Sequence, residues 1–399
     1  MLFEFNLYSG LLLPPFLHGV IYSGMLLVRG LREGRLSDRL LALLVLLFTL
    51  RVGSWMFGFA GWYDSHDAYS TLMFYFPFNF WLAFGPLVYF YFRSLTNGDF
   101  RLGKTEYVHF LPAGLWLLYR ALIFVKDVLI DFGLKGQPFP YHFGTKGTLA
   151  EKGILHLDLA FEILGYLSIS IYLVLTIRVY RWYKRYLQEQ FSDTEGIEFA
   201  WLGRMLYAIC LALAVFALFL LGNSLSGYSM SYIQLWYSYA AWGLIIYYLS
   251  ISGFQFQPQK VRQLHFVPED VRTPVPADEQ NLKEWAPWRD KLLALMNTQK
   301  PFLNPDLNLQ ELAGQLGISP GTLSKVINGL LGKNFNDFVN EYRVQEAKVR
   351  LADPQNSHLS ILGIAFECGF NSKATFNRAF RKYAQQAPSE FLQSLKSRS

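Results

Sequence analysis

The sequence predicts an all-α protein made of two unlike parts. The first is a polytopic bundle of seven transmembrane helices, and the second is a soluble all-α domain with two helix-turn-helix units. Three observations predict this. Residues 7–253 carry long apolar runs with Tyr and Trp crowded at their ends, whereas residues 254–399 have ordinary soluble composition. Charged residues make up 17% of the 399-residue chain, against roughly 25% in a typical soluble domain. Finally, Leu359–Phe391 reads as an apolar helix, a glycine-bearing turn and a serine-capped basic helix, and a second copy of that pattern lies upstream.

A helix needs about 20 apolar residues to cross a bilayer. Seven segments qualify: 7–28, 39–61, 71–92, 107–125, 154–177, 202–222 and 233–253. Pro77, Gly85 and Pro86 predict a kink in the third. Trp62-Tyr63, Trp182-Tyr183 and Trp236-Tyr237 mark segment ends in the manner of interfacial belts. The opening MLFEFN carries no basic residue, so the first run is expected to stay as a membrane helix and not to be cleaved as a signal.

Loop charge sets the orientation. The first loop carries Arg29, Arg32, Arg35 and Arg39, the third Arg93, Arg101 and Lys104, and the fifth Arg178, Arg181, Lys184, Arg185 and Arg204. Loops 62–70 and 223–232 contain no Lys or Arg, while 126–153 departs from the trend with Lys126, Lys135, Lys146 and Lys152. The bias puts the N-terminus outside and the C-terminal domain in the cytoplasm, where DNA is within reach in a bacterium. The bacterial inner membrane is thus the expected location.

Ionisable groups inside a span are candidates for function because each needs a partner or a wet cavity. Arg51 falls near the middle of the second span and Arg120 towards the outer end of the fourth; His156, Asp158 and Glu162 lie in the outer half of the fifth. Arg120 and Glu162 stand at comparable depth, and a pair between them is expected. The bland reading of this set is structural pairing or snorkelling. The functional one is a pocket open to the outside, in which Arg120 or the lysines of the fourth loop meet an anion. Catalysis is not expected. His156, Asp158 and Glu162 lack the i, i+3 or i, i+4 spacing of metal-binding helices, and no G-x-S-x-G, P-loop or H-E-x-x-H occurs. No metal and no cofactor are expected. Cys210 and Cys368 fall in different parts of this topology, which argues against a disulfide framework.

Four prolines (Pro258, Pro268, Pro274 and Pro276) make 254–282 a linker, and helical periodicity resumes over Leu282–Asn297. The chain thus divides into 1–253, 254–282 and 283–399. The last part has fifteen Lys/Arg against ten Asp/Glu, hence +5, a basic bias compatible with nucleic acid. Its first helix starts near Asn308, buries Leu309, Leu312, Ala313 and Leu316, and stops at Gly317. Ser319 then caps a helix with Pro320 at its first position. A longer helix, Phe335 to Leu351, spaces this unit from the second. There Ser372 caps a helix carrying Lys373, Asn377, Arg378, Arg381 and Lys382.

Taken together, these residues resemble the DNA-binding domain of the AraC-type transcription regulators over about 303–395. The resemblance is carried by Leu309-x-x-Leu312-Ala313, Ile318-Ser319, Phe335-x-x-Phe338-Val339-Asn340-x-Tyr342-Arg343, Gly369-Phe370-x-Ser372, Phe376-x-Arg378-x-Phe380-Arg381 and Pro388-Ser389-x-Phe391. Gln385 departs from it, since many members have glycine there. The resemblance implies a monomeric domain whose two recognition helices enter successive major grooves on one face of DNA. The base-facing positions it implies are Gly321, Ser324 and Lys325 in the first helix and Lys373, Asn377 and Arg378 in the second. Lys325 and Arg378 can donate to guanine and Asn377 can pair with adenine, whereas Gly321 and Ser324 read little. The second helix is therefore expected to read more bases. Arg381 and Lys382 are expected to meet phosphates, and Phe370, Phe376 and Phe380 to be core. The expected partners are double-stranded DNA, a lipid bilayer and an unidentified small-molecule or protein signal; a homodimer is compatible with the reading. The rival is a membrane receptor or scaffold whose helical tail binds a protein instead of DNA. Further behind stands a transporter or membrane enzyme with a regulatory tail.

Overall fold

The computed structural model of the chain describes residues 4–154, 157–195, 197–226, 231–255, 266 and 279–396, with backbone only at 212, 215–226, 279–283 and 396. Every regular element among them is helical. They form two compact units, Met1–Val179 with Ala200–His265, and Tyr180–Phe199 with Phe266–Ser399. Residues 180–199, which the sequence places in the fifth loop of the apolar half, thus pack as part of the second unit.

The first unit contains α1 (Leu7–Arg32), α2 (Leu36–Phe59), α3 (Ala68–Tyr75), α4 (Trp81–Thr96), α5 (Lys104–Val108) and α6 (Leu111–Phe124). A π-helical stretch follows at Val125–Leu134, then α7 (Thr148–Lys152), the start of α8 (Leu157–Gln190), α9 (Ala200–Ser226) and α10 (Tyr232–Gln255). Asn6 caps α1 by accepting from the Tyr8 and Ser9 amides, and Ser9 returns a bond to the cap. α1 and α2 approach closely because Gly19 faces Thr49, where a Cβ would strike the threonine hydroxyl. Arg29 at the end of α1 holds Asp38 in α2 with two bonds of 2.7 and 2.9 Å and donates to the carbonyls of Gly253 and Phe254. That fork ties together the ends of three helices.

Three of the described helices are long and apolar enough to cross a membrane: α1, α2 and α8. Of the remaining expected spans, the sixth falls in part on residues whose side chains lie outside the described set, and the other three differ for local reasons. The third is broken into α3 and α4 by the non-helical stretch Phe76–Phe80 around Pro77. The fourth does not end at residue 125 but runs on into the π-helical stretch. α10 is 24 residues long, yet Tyr, Ser and Gln dilute its aliphatic residues. α8 exceeds its expected span, and its last residues join the second unit.

The second unit contains α11 (Glu279–Thr298), α12 (Leu309–Leu316), α13 (Pro320–Leu331), α14 (Phe335–Ala352), α15 (Ile361–Glu367), α16 (Lys373–Ala384) and α17 (Pro388–Lys396). The expected linker lies largely outside the described residues. Within it, Phe266 is buried against the rings of Tyr183 and Tyr186. Two hydrophobic cores fill the unit. Leu312, Ala313, Leu323, Val326 and Ile327 build the first with Phe335, Phe338 and Val339 from the start of α14. Ile364, Ala365, Phe370, Phe376 and Phe380 build the second with Val344, Ala347 and Leu351 from its end. α14 therefore spaces two helix-turn-helix units along one axis, and Arg343 sits between the two cores.

Candidate functional site

The termini of the helix-turn-helix elements follow from their sequence. Asn308, Ser319 and Ser372 cap α12, α13 and α16, each accepting from an amide three residues on. Gly317 ends α12 in the left-handed region at φ +69°. Gln385 ends α16 in the same region at φ +57° without the usual glycine; its side-chain amide donates 2.9 Å to the Lys382 carbonyl. The turn thus keeps the required shape despite the departure, at a local cost of about 1 kcal/mol.

On α13, Gly321 and Lys325 are exposed, while Ser324 is half-buried. On α16, Lys373, Arg378, Arg381 and Lys382 are exposed and Asn377 is half-buried, while Thr375, Phe376, Ala379 and Phe380 point into the core. Spacing of four puts Lys373, Asn377 and Arg381 in one stripe, with Arg378 beside it. Lys382 stands apart, bound at 2.6 Å to Asp337 of α14. Among the described residues, Lys325, Lys373, Arg378 and Arg381 make no ion pair. Four unneutralised cations on two capped helices are what phosphate and base contacts require.

A single buried cation holds the two helix-turn-helix units in register. Arg343 is fully buried; its Nε donates 2.7 Å to the Phe302 carbonyl, and one terminal nitrogen donates 2.8 Å to the Asn304 carbonyl and 3.1 Å to the Ser192 hydroxyl. Burial pushes its pKa down to about 10, so the charge persists at neutral pH. Gly369, at φ +88° in the second turn, packs on the Phe302 and Leu303 carbonyls, the first of which also receives Arg343; a Cβ there would lie 2.5 Å from the Phe302 oxygen. Cys368 beside it is buried, which pushes its thiol up to about 12. Both cysteines are free.

The segment ahead of α9 lies on the same unit. Ser192 donates 2.6 Å to the Leu307 carbonyl and its own carbonyl receives Asn336 at 2.9 Å. Glu189 accepts from Asn328 at 2.7 Å and Ser324 at 3.4 Å. Asp193 accepts from Asn371 at 2.9 Å, and Glu195 from Thr375 at 3.1 Å and from the Ser372 hydroxyl. The sequence reading missed these contacts. The available signal was the change from a basic run to Asp193, Glu195 and Glu198 within one loop.

The polar groups of the first unit are only partly brought together. Arg120 does not pair with Glu162. It donates 2.7 Å to the Phe74 carbonyl and lies over Trp116, while the Glu162 carboxylate receives the Tyr166 hydroxyl at 3.4 Å. The break after α3 explains this. Pro77 has no amide, and the Phe78 amide turns to the Phe76 carbonyl, so the Phe74 carbonyl is left for the guanidinium. The Asn79 carbonyl is likewise taken by the Trp116 indole at 2.7 Å. Arg51 lies over the rings of Trp81 and Tyr239. Arg51 and Arg120 line one cavity, whereas Asp158, bonded to the Tyr119 hydroxyl at 2.6 Å, sits with Glu162 at a smaller crevice. His156 lies outside the described residues. No group of three His, Cys, Asp or Glu side chains is placed to hold a metal among the described residues.

Comparison with known proteins places the family domain on this second unit. A family model described as a helix-turn-helix domain matches residues 312–394. An uncharacterized HTH-type transcriptional regulator of Staphylococcus aureus strain COL is 32% identical over 102 residues, 26% of this chain and 13% of its own length. That of strain MSSA476 matches with the same figures. The chain therefore spans only about an eighth of the length of these relatives. The probable transcription factor PqrA of Proteus vulgaris is 32% identical over 88 residues, 22% of this chain and 70% of its own length. No solved structure matches the chain. Two capped recognition helices, the shared motifs and these relatives agree: the chain belongs to the AraC-type helix-turn-helix transcription regulators.

Proposed function

We propose that the chain is a membrane-tethered, sequence-specific DNA-binding transcription regulator of the bacterial inner membrane. In this reading the first unit spans the bilayer with seven segments, two of them broken or irregular, and senses a signal. The N-terminus lies outside and the second unit in the cytoplasm. Lys325, Lys373, Asn377 and Arg378 read bases, and Arg381 meets a phosphate. Lys382 is held by Asp337 and contributes less. The reading rests above all on the exposed, unpaired cations of α13 and α16. The three long apolar helices in the same chain support the tether.

The test uses the full chain in detergent and a genomic library of duplex fragments. Binding is expected to select particular sequences and to weaken steeply with salt. Lys325→Ala with Arg378→Ala should weaken the selected complex by about 30-fold or more, since each base contact is worth about 1–3 kcal/mol. Absence of duplex binding at low salt would sink the regulator reading and leave a protein-binding tail in its place.

A further inference from the structure

The first unit carries an open cavity of about 880 Å³ whose walls carry more positive charge than the chain neutralises. A volume of that order is typical of a small-molecule site, for which the range is about 300–1,000 Å³. Four of its cationic or protonatable side chains are Arg51, Arg120, His142 and Lys146. Lys146 pairs with Glu151 at 2.7 Å, and His142 stands 3.6 Å from Asp64. Arg51 and Arg120 meet no carboxylate among the described residues. The Nε of Arg51 is buried with no hydrogen-bond partner, and Arg120 commits one terminal nitrogen to a carbonyl. Each guanidinium has five donors, and few of them meet a protein acceptor among the described residues. Much of the remaining lining is aromatic, including Trp55 and Trp116. The non-helical stretch Phe76–Phe80 contributes its edge, and irregular backbone within a membrane domain is tolerated where it is buried or lines a wet cavity.

We propose that this cavity binds an amphipathic anion, its carboxylate or phosphate head received by Arg51 and Arg120 and its apolar body by the aromatic wall. The proposal rests on the reading of the first unit as a sensor, and it names the class of signal. An anionic head on an apolar body is offered by two sources, a soluble organic acid and an acidic lipid. The experiment places the full chain in phosphatidylcholine nanodiscs and follows tryptophan fluorescence while decanoate or decanol is added. Decanoate should give a saturable change that decanol does not. Arg51→Gln and Arg120→Gln should each weaken it by about tenfold or more, and Arg120→Lys, which keeps the charge, by less. If phosphatidylglycerol in the disc suppresses the decanoate signal, the lipid is the occupant; if it does not, the soluble acid is. Equal responses to decanoate and decanol, or unchanged affinity in both glutamine variants at unchanged Tm, overturn the proposal. DNA binding measured on the same preparations separates the two failures: selective duplex binding without decanoate binding removes the ligand and leaves the regulator.

In the second unit, two carboxylates contact the recognition helices and a third contacts the turn just ahead of α16. Glu195 takes the Ser372 and Thr375 hydroxyls at the N-terminus of α16, which is where a helix receives a phosphate. Glu189 takes Ser324 and Asn328 on α13, and Asp193 takes Asn371 ahead of α16. One short segment thus reaches both reading heads with negative charge. We infer that residues 189–195 compete with DNA for the second unit, so that duplex binding requires the segment to leave. The test compares the duplex affinity of the full chain with that of its Glu189→Gln/Glu195→Gln variant, which keeps the shape and removes the charge. Affinity should rise by about tenfold or more. Glu198→Gln, whose partner is Lys184 and not a recognition helix, should leave it unchanged. Unchanged or lower affinity in the double variant at unchanged Tm overturns the inference.

Discussion

Arg343→Ala is expected to cost the second unit about 3–5 kcal/mol, a large share of the stability of an ordinary domain. The side chain is fully buried, and it joins the Phe302 and Asn304 carbonyls to Ser192. Removing it takes the donor from the Phe302 carbonyl and opens a void between the two cores, while the Asn304 carbonyl keeps the Leu307 amide at 3.3 Å. Arg343→Met separates the causes, because it fills most of the space and restores none of the bonds; it should recover only a minor part of the loss. Arg343→Lys should also fail, since one ammonium cannot reproduce a planar fork. Denaturant unfolding of the full chain, followed through the second unit, reads the cost. A loss below about 1 kcal/mol for Arg343→Ala would show that the carbonyls find other partners. The functional consequence follows from position: if α14 no longer fixes the two cores, the two recognition helices lose their spacing and duplex affinity falls with stability.

The sequence made the second unit legible almost to the residue. Asn308, Ser319 and Ser372 are caps, Gly317 is a left-handed stop, and Phe370, Phe376 and Phe380 are core. These features are local: each depends on a side chain and an amide three residues away, or on the 3.6-residue period. What was not legible depends on distant partners. Arg343 belonged to the recognised motif, but its burial is set by carbonyls 39 and 41 residues away. Glu189 and Glu195 find theirs at separations above 130 residues. In the apolar half, the length of the apolar runs located helices, and of Pro77, Gly85 and Pro86 only Pro77 falls in the break, the other two lying inside α4. Whether Arg120 would meet Glu162 or a freed carbonyl was beyond these signals, because both satisfy a half-buried guanidinium and only the direction taken by the chain after Tyr75 decides.

Gly369→Ala is expected to be the other severe change, at about 3–5 kcal/mol. Two penalties act at once. The backbone sits at φ +88°, which an L side chain rarely adopts, and the new Cβ would lie 2.5 Å from the Phe302 oxygen and 2.9 Å from the Leu303 oxygen. These are backbone atoms in a short turn, so neither can swing aside as a flexible side chain would. Phe302 is also the acceptor for Arg343 Nε, and the new Cβ would approach that nitrogen to 3.0 Å. Pushing the turn away therefore loosens the arginine, and the two sites should not act independently. In a double-mutant cycle, Gly369→Ala with Arg343→Met should cost clearly less than the two single costs combined, because the first change already spoils what the second removes. Cys368 supplies a second readout. Its thiol is buried and held towards the protonated form in the native unit, so it should resist alkylation in the wild-type chain and react readily in the alanine variant. Strict additivity, or a Cys368 that stays protected, would mean that the second turn tolerates a side chain and that Arg343 is held by other means.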